Sequence, residues 1–233
     1  MLRYDFIIVG AGSAGSALAN RLTKNPDNRV LLLEAGGADS HPWVRIPMGY
    51  GKVFYDQRVN WKYTTEPNET LDGNRIYWPR GKVMGGSSSI NAMVYVRGHP
   101  QDYDHWAKDA PGWSWTDVAP VFKRMENWVG AANPDRGRDG PLTVRDIADD
   151  AHPLCANYLT AAEQAGFAYN PDYNSGQMEG AASYQITTKN GLRASAARVY
   201  ITPIQHRSNL TIALRAHVQK LCFEGRKVTG VRY

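Results

Sequence analysis

An α/β fold, α+β over the whole length, is what this 233-residue sequence predicts, on three observations. The apolar run Phe6-Ile7-Ile8-Val9 leads straight into Gly10-Ala11-Gly12-Ser13-Ala14-Gly15, a helical pattern follows, and a second apolar run, Val30-Leu31-Leu32-Leu33, ends on Glu34. Strand, glycine turn, helix and strand within about 30 residues make the βαβ unit of a Rossmann-type dinucleotide-binding domain. Gly10 allows the tight turn, Gly12 lets the backbone approach a pyrophosphate, and Gly15 lets the helix pack close to the sheet. The first turn of that helix offers free N–H groups to an anion. Ala14, Leu18 and Leu22 recur at i, i+4 and i+8, so that face is expected to cover the strands. Glu34 stands where it can accept hydrogen bonds from a ribose diol, and its charge disfavours a 2'-phosphate there.

From residue 35 to 100 the βαβ rhythm stops in favour of Gly, Pro, Trp and Tyr, with strand-like runs only near Tyr63 and Ile76; irregular segments this long are usually functional. Helical patterns return at Asp102 to Ala107, Trp115 to Trp128 and His152 to Ala165. The aromatics Trp113, Trp115, Trp128 and Tyr158 read as core on those helices. The stretch Asn133-Pro134-Asp135-Arg136-Gly137-Arg138-Asp139-Gly140-Pro141 reads as a surface loop. A strand is expected at Ala182 to Thr187 and three more at about 210–214, 217–223 and 227–232, the last two joined by the turn Glu224-Gly225-Arg226. One βα crossover is too little for a complete doubly wound sheet, so the chain is expected to be incomplete.

Composition narrows the function classes. A hydrophobic share of 42% supports a real core. The net charge of +5, from 27 basic and 22 acidic residues, is scattered without a basic block, which argues against nucleic acid as partner. No apolar run nears the roughly 20 residues of a transmembrane helix, and the first apolar run reads as a strand rather than a signal peptide. Cys155 and Cys222 are expected as buried free thiols, which suits a cytoplasmic location; peripheral attachment to an inner membrane stays open. The sequons at Asn68 and Asn209 carry no weight without secretion. No metal ligand set is predicted.

The second motif runs from Tyr77-Trp78-Pro79-Arg80-Gly81-Lys82 through Val83-Met84-Gly85-Gly86-Ser87-Ser88-Ser89-Ile90-Asn91 to Ala92-Met93-Val94-Tyr95-Val96-Arg97-Gly98. Paired glycines and three serines ahead of an apolar stretch describe a loop whose backbone amides can meet an anionic or electron-rich ligand. Arg80 and Lys82 could neutralise a pyrophosphate or serve structure.

With both motifs, Glu34-Ala35-Gly36, Asn60-Trp61 and Gly191-Leu192-Arg193-Ala194-Ser195, the chain resembles the glucose-methanol-choline (GMC) family of FAD-dependent oxidoreductases, in the style of its choline dehydrogenase and bacterial primary-alcohol dehydrogenase members. The resemblance covers essentially the whole chain. It implies FAD, with adenosine ribose on Glu34, Ala35 among the cofactor contacts, pyrophosphate on Gly12, Ser13, Ala14 and Gly15, and isoalloxazine against the Met84 to Val94 stretch, including Gly85, Ser88, Asn91, Ala92 and Met93. Gly10, Trp61 and Arg80 complete the implied contacts, with Val218 beside the adenine. The implied domains are an FAD-binding part at 1–155, the start of a substrate-binding domain on an antiparallel sheet at 156–208, and a return to the FAD side at 209–233.

Two departures qualify it. Some members bond flavin covalently through a histidine where this chain has Ile90, so a noncovalent FAD follows. The family's catalytic histidine lies near the end of a longer chain, and none of His41, His99, His105, His152, His206 and His217 matches it, so no catalytic residue is assigned. The implied reaction is alcohol oxidation by hydride transfer to flavin N5, with the alcohol, the electron acceptor and the use of dioxygen left open. A flavin-containing, hydroxynitrile lyase-like enzyme and a noncatalytic FAD-binding half completed by a partner chain are the alternatives.

Overall fold

The first two apolar runs are adjacent parallel strands in this computed structural model, which describes residues 3–233. β1 (Phe6–Val9) and β2 (Val30–Glu34) pair from Phe6 opposite Val30 to Val9 opposite Leu33, and α1 (Ser13–Leu22) crosses between them. On its other side β2 pairs in parallel with β10 (Leu210–Leu214), Leu210 opposite Val30 and Leu214 opposite Glu34. Being central, β2 is buried at all five positions. Its period of two divides the core: Val30 and Leu32 pack with Ile8, Ala19, Ile201 and Ile204, whereas Leu31 and Leu33 pack with Ala216, Val218 and Val231.

The sheet-facing side of α1 differs from the expected one. Gly15, Ser16 and Ala19 are buried, while Ala14 and Leu18 are exposed and only Leu22 of the predicted stripe meets the core. Close approach explains it: a Cβ on Gly15 would collide with the Gly10 carbonyl oxygen, so the contacting face must carry small residues.

This first compact unit comprises Met1–Ala92 and Gly191–Tyr233. Within it the irregular region holds α2 (Pro42–Arg45), α3 (Tyr50–Val53) and the short antiparallel pair β3 (Tyr63–Thr64) with β4 (Tyr77–Trp78). Val44, Val53, Val59, Val83 and Ile90 form their own buried cluster. After β9 (Leu192–Arg193), the unit closes with β10 and the hairpin of β11 (Lys220–Glu224) and β12 (Lys227–Arg232).

The second unit, Met93–Asn190, carries α4 (Pro100–Trp106), α5 (Trp115–Met125) and α6 (Leu154–Gln164). Its sheet has β6 (Leu142–Asp146) central, parallel to β5 (Glu126–Trp128) and antiparallel to β7 (Gln185–Ile186), and the short β8 (Thr188–Lys189) follows. Because residues 126–146 share a sheet with β7, the units part at Met93 and Gly191, whereas the expected functional segments part at 156 and 209.

A capping box starts α5, the Ser114 N–H donating to the Asp117 carboxylate at 3.1 Å. The helical pattern expected through Trp128 stops at Met125, because Glu126 is drawn into a buried ion network. Its two carboxylate oxygens accept from Arg97 Nη2 at 2.8 Å and from Arg136 Nε at 2.7 Å, and Arg136 also pairs with Asp172. The same network corrects the reading of 133–141 as surface: Arg136 is buried and lies 4.0 Å over the Trp128 ring. Trp128 is core, but from a strand; Trp113 and Tyr158 are exposed, as is Cys155, while Cys222 is half-buried. Both thiols are free.

Candidate functional site

Where the chain leaves β1 and enters α1, the helix has no side-chain cap and no acidic residue in its first turn. Its first amides therefore keep their capacity for an anion, reinforced by the helix dipole. They face a cavity of about 530 Å³. Gly10, Gly12 and Ser13 form one wall, Glu34 and Ala35 stand at the end of β2, and Trp61, Tyr63, Arg80 and Gly81 come from the irregular region. Gly86 and Ser87 supply the second glycine loop, and Ala216, His217 and Val218 follow β10.

The two glycine loops meet back to back. Gly86 has φ of 57°, and a Cβ on it would stand 2.7 Å from the Gly12 Cα. Gly85 N–H donates to the Ala11 carbonyl at 2.7 Å, and Met84 N–H to the Gly37 carbonyl at 2.9 Å. Glu34 is 5% exposed; its carboxylate accepts from Ala11 N–H at 2.9 Å and from Gly36 N–H at 2.8 Å. A carboxylate offers about four lone-pair sites, so two backbone bonds fix its orientation and leave acceptor capacity for a diol.

Of the sequence-predicted residues, Gly10, Gly12, Ser13, Glu34, Ala35, Trp61, Arg80 and Val218 meet around this cavity. Ala14 and Gly15 lie one step further along α1. Met84, Gly85, Ser88, Asn91 and Ala92 continue the loop whose Gly86 and Ser87 reach the wall; Met93 and Val94 open the second unit. Wall residues that sequence reasoning did not single out as contacts include Tyr63 and His217, whereas Ser87 was read only as part of the second glycine-serine motif. The sequence marked Tyr63 only as strand-like, two residues after Trp61, and His217 only as the neighbour of Val218. The Trp61 ring stacks on Tyr63 and lies 5.2 Å from His217, and Lys82 Nζ sits 4.6 Å over it, so Lys82 serves this aromatic wall.

Three other histidines bond the backbone. His41, His99 and His152 each precede a proline, and each Nδ1 accepts a backbone N–H two residues on, from Trp43, Gln101 and Leu154, at 3.2 Å. Among the described residues there is no cluster of three or more potential metal ligands and no helix long and apolar enough to cross a membrane.

Comparison with known proteins agrees with this geometry. The chain is 44% identical over 233 residues to an alcohol dehydrogenase [acceptor] of Pseudomonas putida and 42% identical over 238 residues to the mitochondrial choline dehydrogenase of Mus musculus. Each alignment covers 99% of this chain but only 42% and 40% of those proteins, so the chain spans about two fifths of their length. Pyridoxine 4-oxidase from Mesorbium loti superposes with a TM-score of 0.93 at 34% identity, over 98% of this chain and 45% of that one. An FAD-dependent oxidoreductase from Chaetomium thermophilum gives 0.89 at 30% identity, over 98% and 41%. The family description GMC oxidoreductase matches residues 4–233, and the chain belongs to that family.

Proposed function

We propose that this chain is the FAD-binding portion of an oxidoreductase that converts an alcohol to an aldehyde or ketone. The observation that carries the reading is the cavity in which the uncapped N-terminus of α1, the Gly86 loop and the buried Glu34 carboxylate converge. These groups fit an adenosine diphosphate moiety: amides and dipole for the pyrophosphate, a carboxylate for the ribose, an aromatic wall beside them. When bound, the flavin supplies the hydride acceptor, N5. The chain's part is to hold the dinucleotide on Gly12, Ser13 and Glu34, to bring Val218 against the adenine, and to present the loop from Met84 through Val94 to the isoalloxazine.

FAD is proposed to be noncovalent. Ile90 is 2% exposed and packs with Val44, Val53, Val59 and Val83, an apolar position with no nucleophile to bond the ring. Membership of residues 156–190 in the second unit supports placing the start of the substrate-binding domain there, with 209–233 on the FAD side. The base that removes the alcohol proton is assigned to no residue of this chain: the family resemblance matches none of its six histidines to that role, and His41, His99 and His152 already accept backbone N–H groups through Nδ1. Acid or heat denaturation of the FAD-loaded protein is expected to release the flavin into the supernatant. Flavin remaining with the precipitated polypeptide would refute noncovalent binding, and a folded chain that takes up no FAD would refute the function.

A further inference from the structure

Arg193 is 4% exposed and, among the described residues, has no ion pair. Its Nε donates to the Val44 carbonyl at 2.9 Å; its Nη1 donates to the Asn91 carbonyl at 2.7 Å and side-chain oxygen at 2.8 Å, and to the Ser88 carbonyl at 3.3 Å. The backbone just after Arg193 joins in, Ala196 N–H donating to Ser88 Oγ at 2.9 Å. One guanidinium thus ties the far end of the Gly85 to Asn91 loop to α2. The arrangement needs the planar fork of arginine, since a lysine ammonium could not reach these acceptors in the same directions.

A buried cation is costly without a counter-charge, and carbonyl dipoles offset that cost while leaving the net charge in place. Burial holds the Arg193 guanidinium down at about 10, so it stays charged at neutral pH. Its Nη2 is buried and has no hydrogen-bond partner. A full positive charge therefore stands behind the loop, poorly screened by solvent.

Resting on the FAD reading above, we propose that Arg193 is a positioning residue for the cofactor, fixing the Gly85 to Asn91 loop and favouring the reduced, negatively charged flavin over the oxidised one. Charge near the ring is one of the means by which a protein tunes this cofactor. Reduction by dithionite adds two electrons and one proton to the neutral ring, leaving one negative charge for Arg193 to stabilise.

The test compares the FAD-loaded full chain with Arg193→Gln and Arg193→Lys, reading the flavin midpoint potential by dithionite titration and FAD release by fluorescence. Arg193→Gln is expected to weaken binding of reduced relative to oxidised flavin at least tenfold, a fall of about 30 mV, and to speed FAD release. Arg193→Lys is expected to keep most of the potential and still release FAD several-fold faster. An unchanged potential in Arg193→Gln overturns the electrostatic role, and wild-type retention in Arg193→Lys overturns the positioning role. Should Arg193→Gln not fold, Arg193→Met reads the potential in its place with the same expected and overturning results, and release from Arg193→Lys still decides the positioning role. A wild-type chain that takes up no FAD overturns this inference and the cofactor reading together, whereas the outcomes above leave the cofactor reading standing.

Discussion

Two buried sites, one in each unit, handle charge in opposite ways. In the second, Glu126 sits between Arg97 and Arg136, with Asp172 on the far side of Arg136, so two cations and two carboxylates neutralise one another inside the protein. In the first, Glu34 meets only backbone N–H groups and Arg193 meets carbonyls and an amide oxygen. A closed network makes scaffold. Charges held by backbone dipoles are oriented but not cancelled, and remain available to a ligand.

Removing one partner of the closed network should therefore produce the largest effect. Glu126→Ala leaves the buried Arg97 without an ion pair and Arg136 with Asp172 alone, and breaking such a pair costs about 3–5 kcal/mol. Guanidinium chloride unfolding is expected to show a loss of that size; a loss below about 1 kcal/mol would put Glu126 among the weakly coupled charges and dissolve the contrast. Glu34→Ala should instead act on the ligand. Losing a charge-assisted bond to the ribose costs about 1.5–3 kcal/mol, so FAD affinity measured by fluorescence titration falls roughly tenfold to a hundredfold while circular dichroism is retained. An unchanged affinity would show that Glu34 serves only its backbone partners.

Gly86→Ala probes the loops themselves. A left-handed conformation costs a non-glycine residue about 1–2 kcal/mol, and the added methyl presses on Gly12. Weaker FAD binding with a modest fall in Tm is the expected result, and wild-type behaviour in both would show that the loops can part without consequence.

The smallest effect lies with a third kind of charge, on the surface of the first unit. Side-chain hydrogen bonds from Arg58 hold the Asp56 carboxyl at about 2, below its ordinary 3.8. A depressed carboxylate stabilises above its unfolded value and loses that contribution as pH falls through the folded one. Urea midpoints should accordingly drift down between about pH 4 and pH 2, by no more than about 1 kcal/mol because Arg58 is exposed. Arg58→Ala should flatten that drift, and an unaltered slope would assign it to other carboxylates.

What the sequence made legible follows the range of the interactions. β1, α1 and β2 announce themselves because period, glycines and terminal carboxylate lie within one short segment, and the β11–β12 hairpin shows its turn in three residues. The face of α1 was misread because hydrophobicity ranks Leu18 above Gly15, whereas closeness to the sheet selects for size. The Glu126 network stayed hidden: its members are scattered from Arg97 to Asp172, and Arg136 sits in a stretch whose composition matches any exposed turn. Arg193 was noticed only as part of a resembling segment, since nothing local shows that its acceptors are Val44, Ser88 and Asn91. Likewise, that three histidines precede prolines is visible in the chain, but that each Nδ1 accepts a backbone N–H two residues on needs the backbone they bond.

The pairing of β2 with β10 sets a timetable for synthesis. About 180 residues separate Val30 from Leu210, so at translation speeds of about 5–20 residues per second the central strand waits on the order of ten seconds or more for its second neighbour. The unit from Met93 to Asn190 is continuous and emerges entirely within that interval, free to form its own core first. Val30-Leu31-Leu32-Leu33 meanwhile has an open edge and apolar side chains on both faces, which leaves it a template for wrong pairing until β10 arrives.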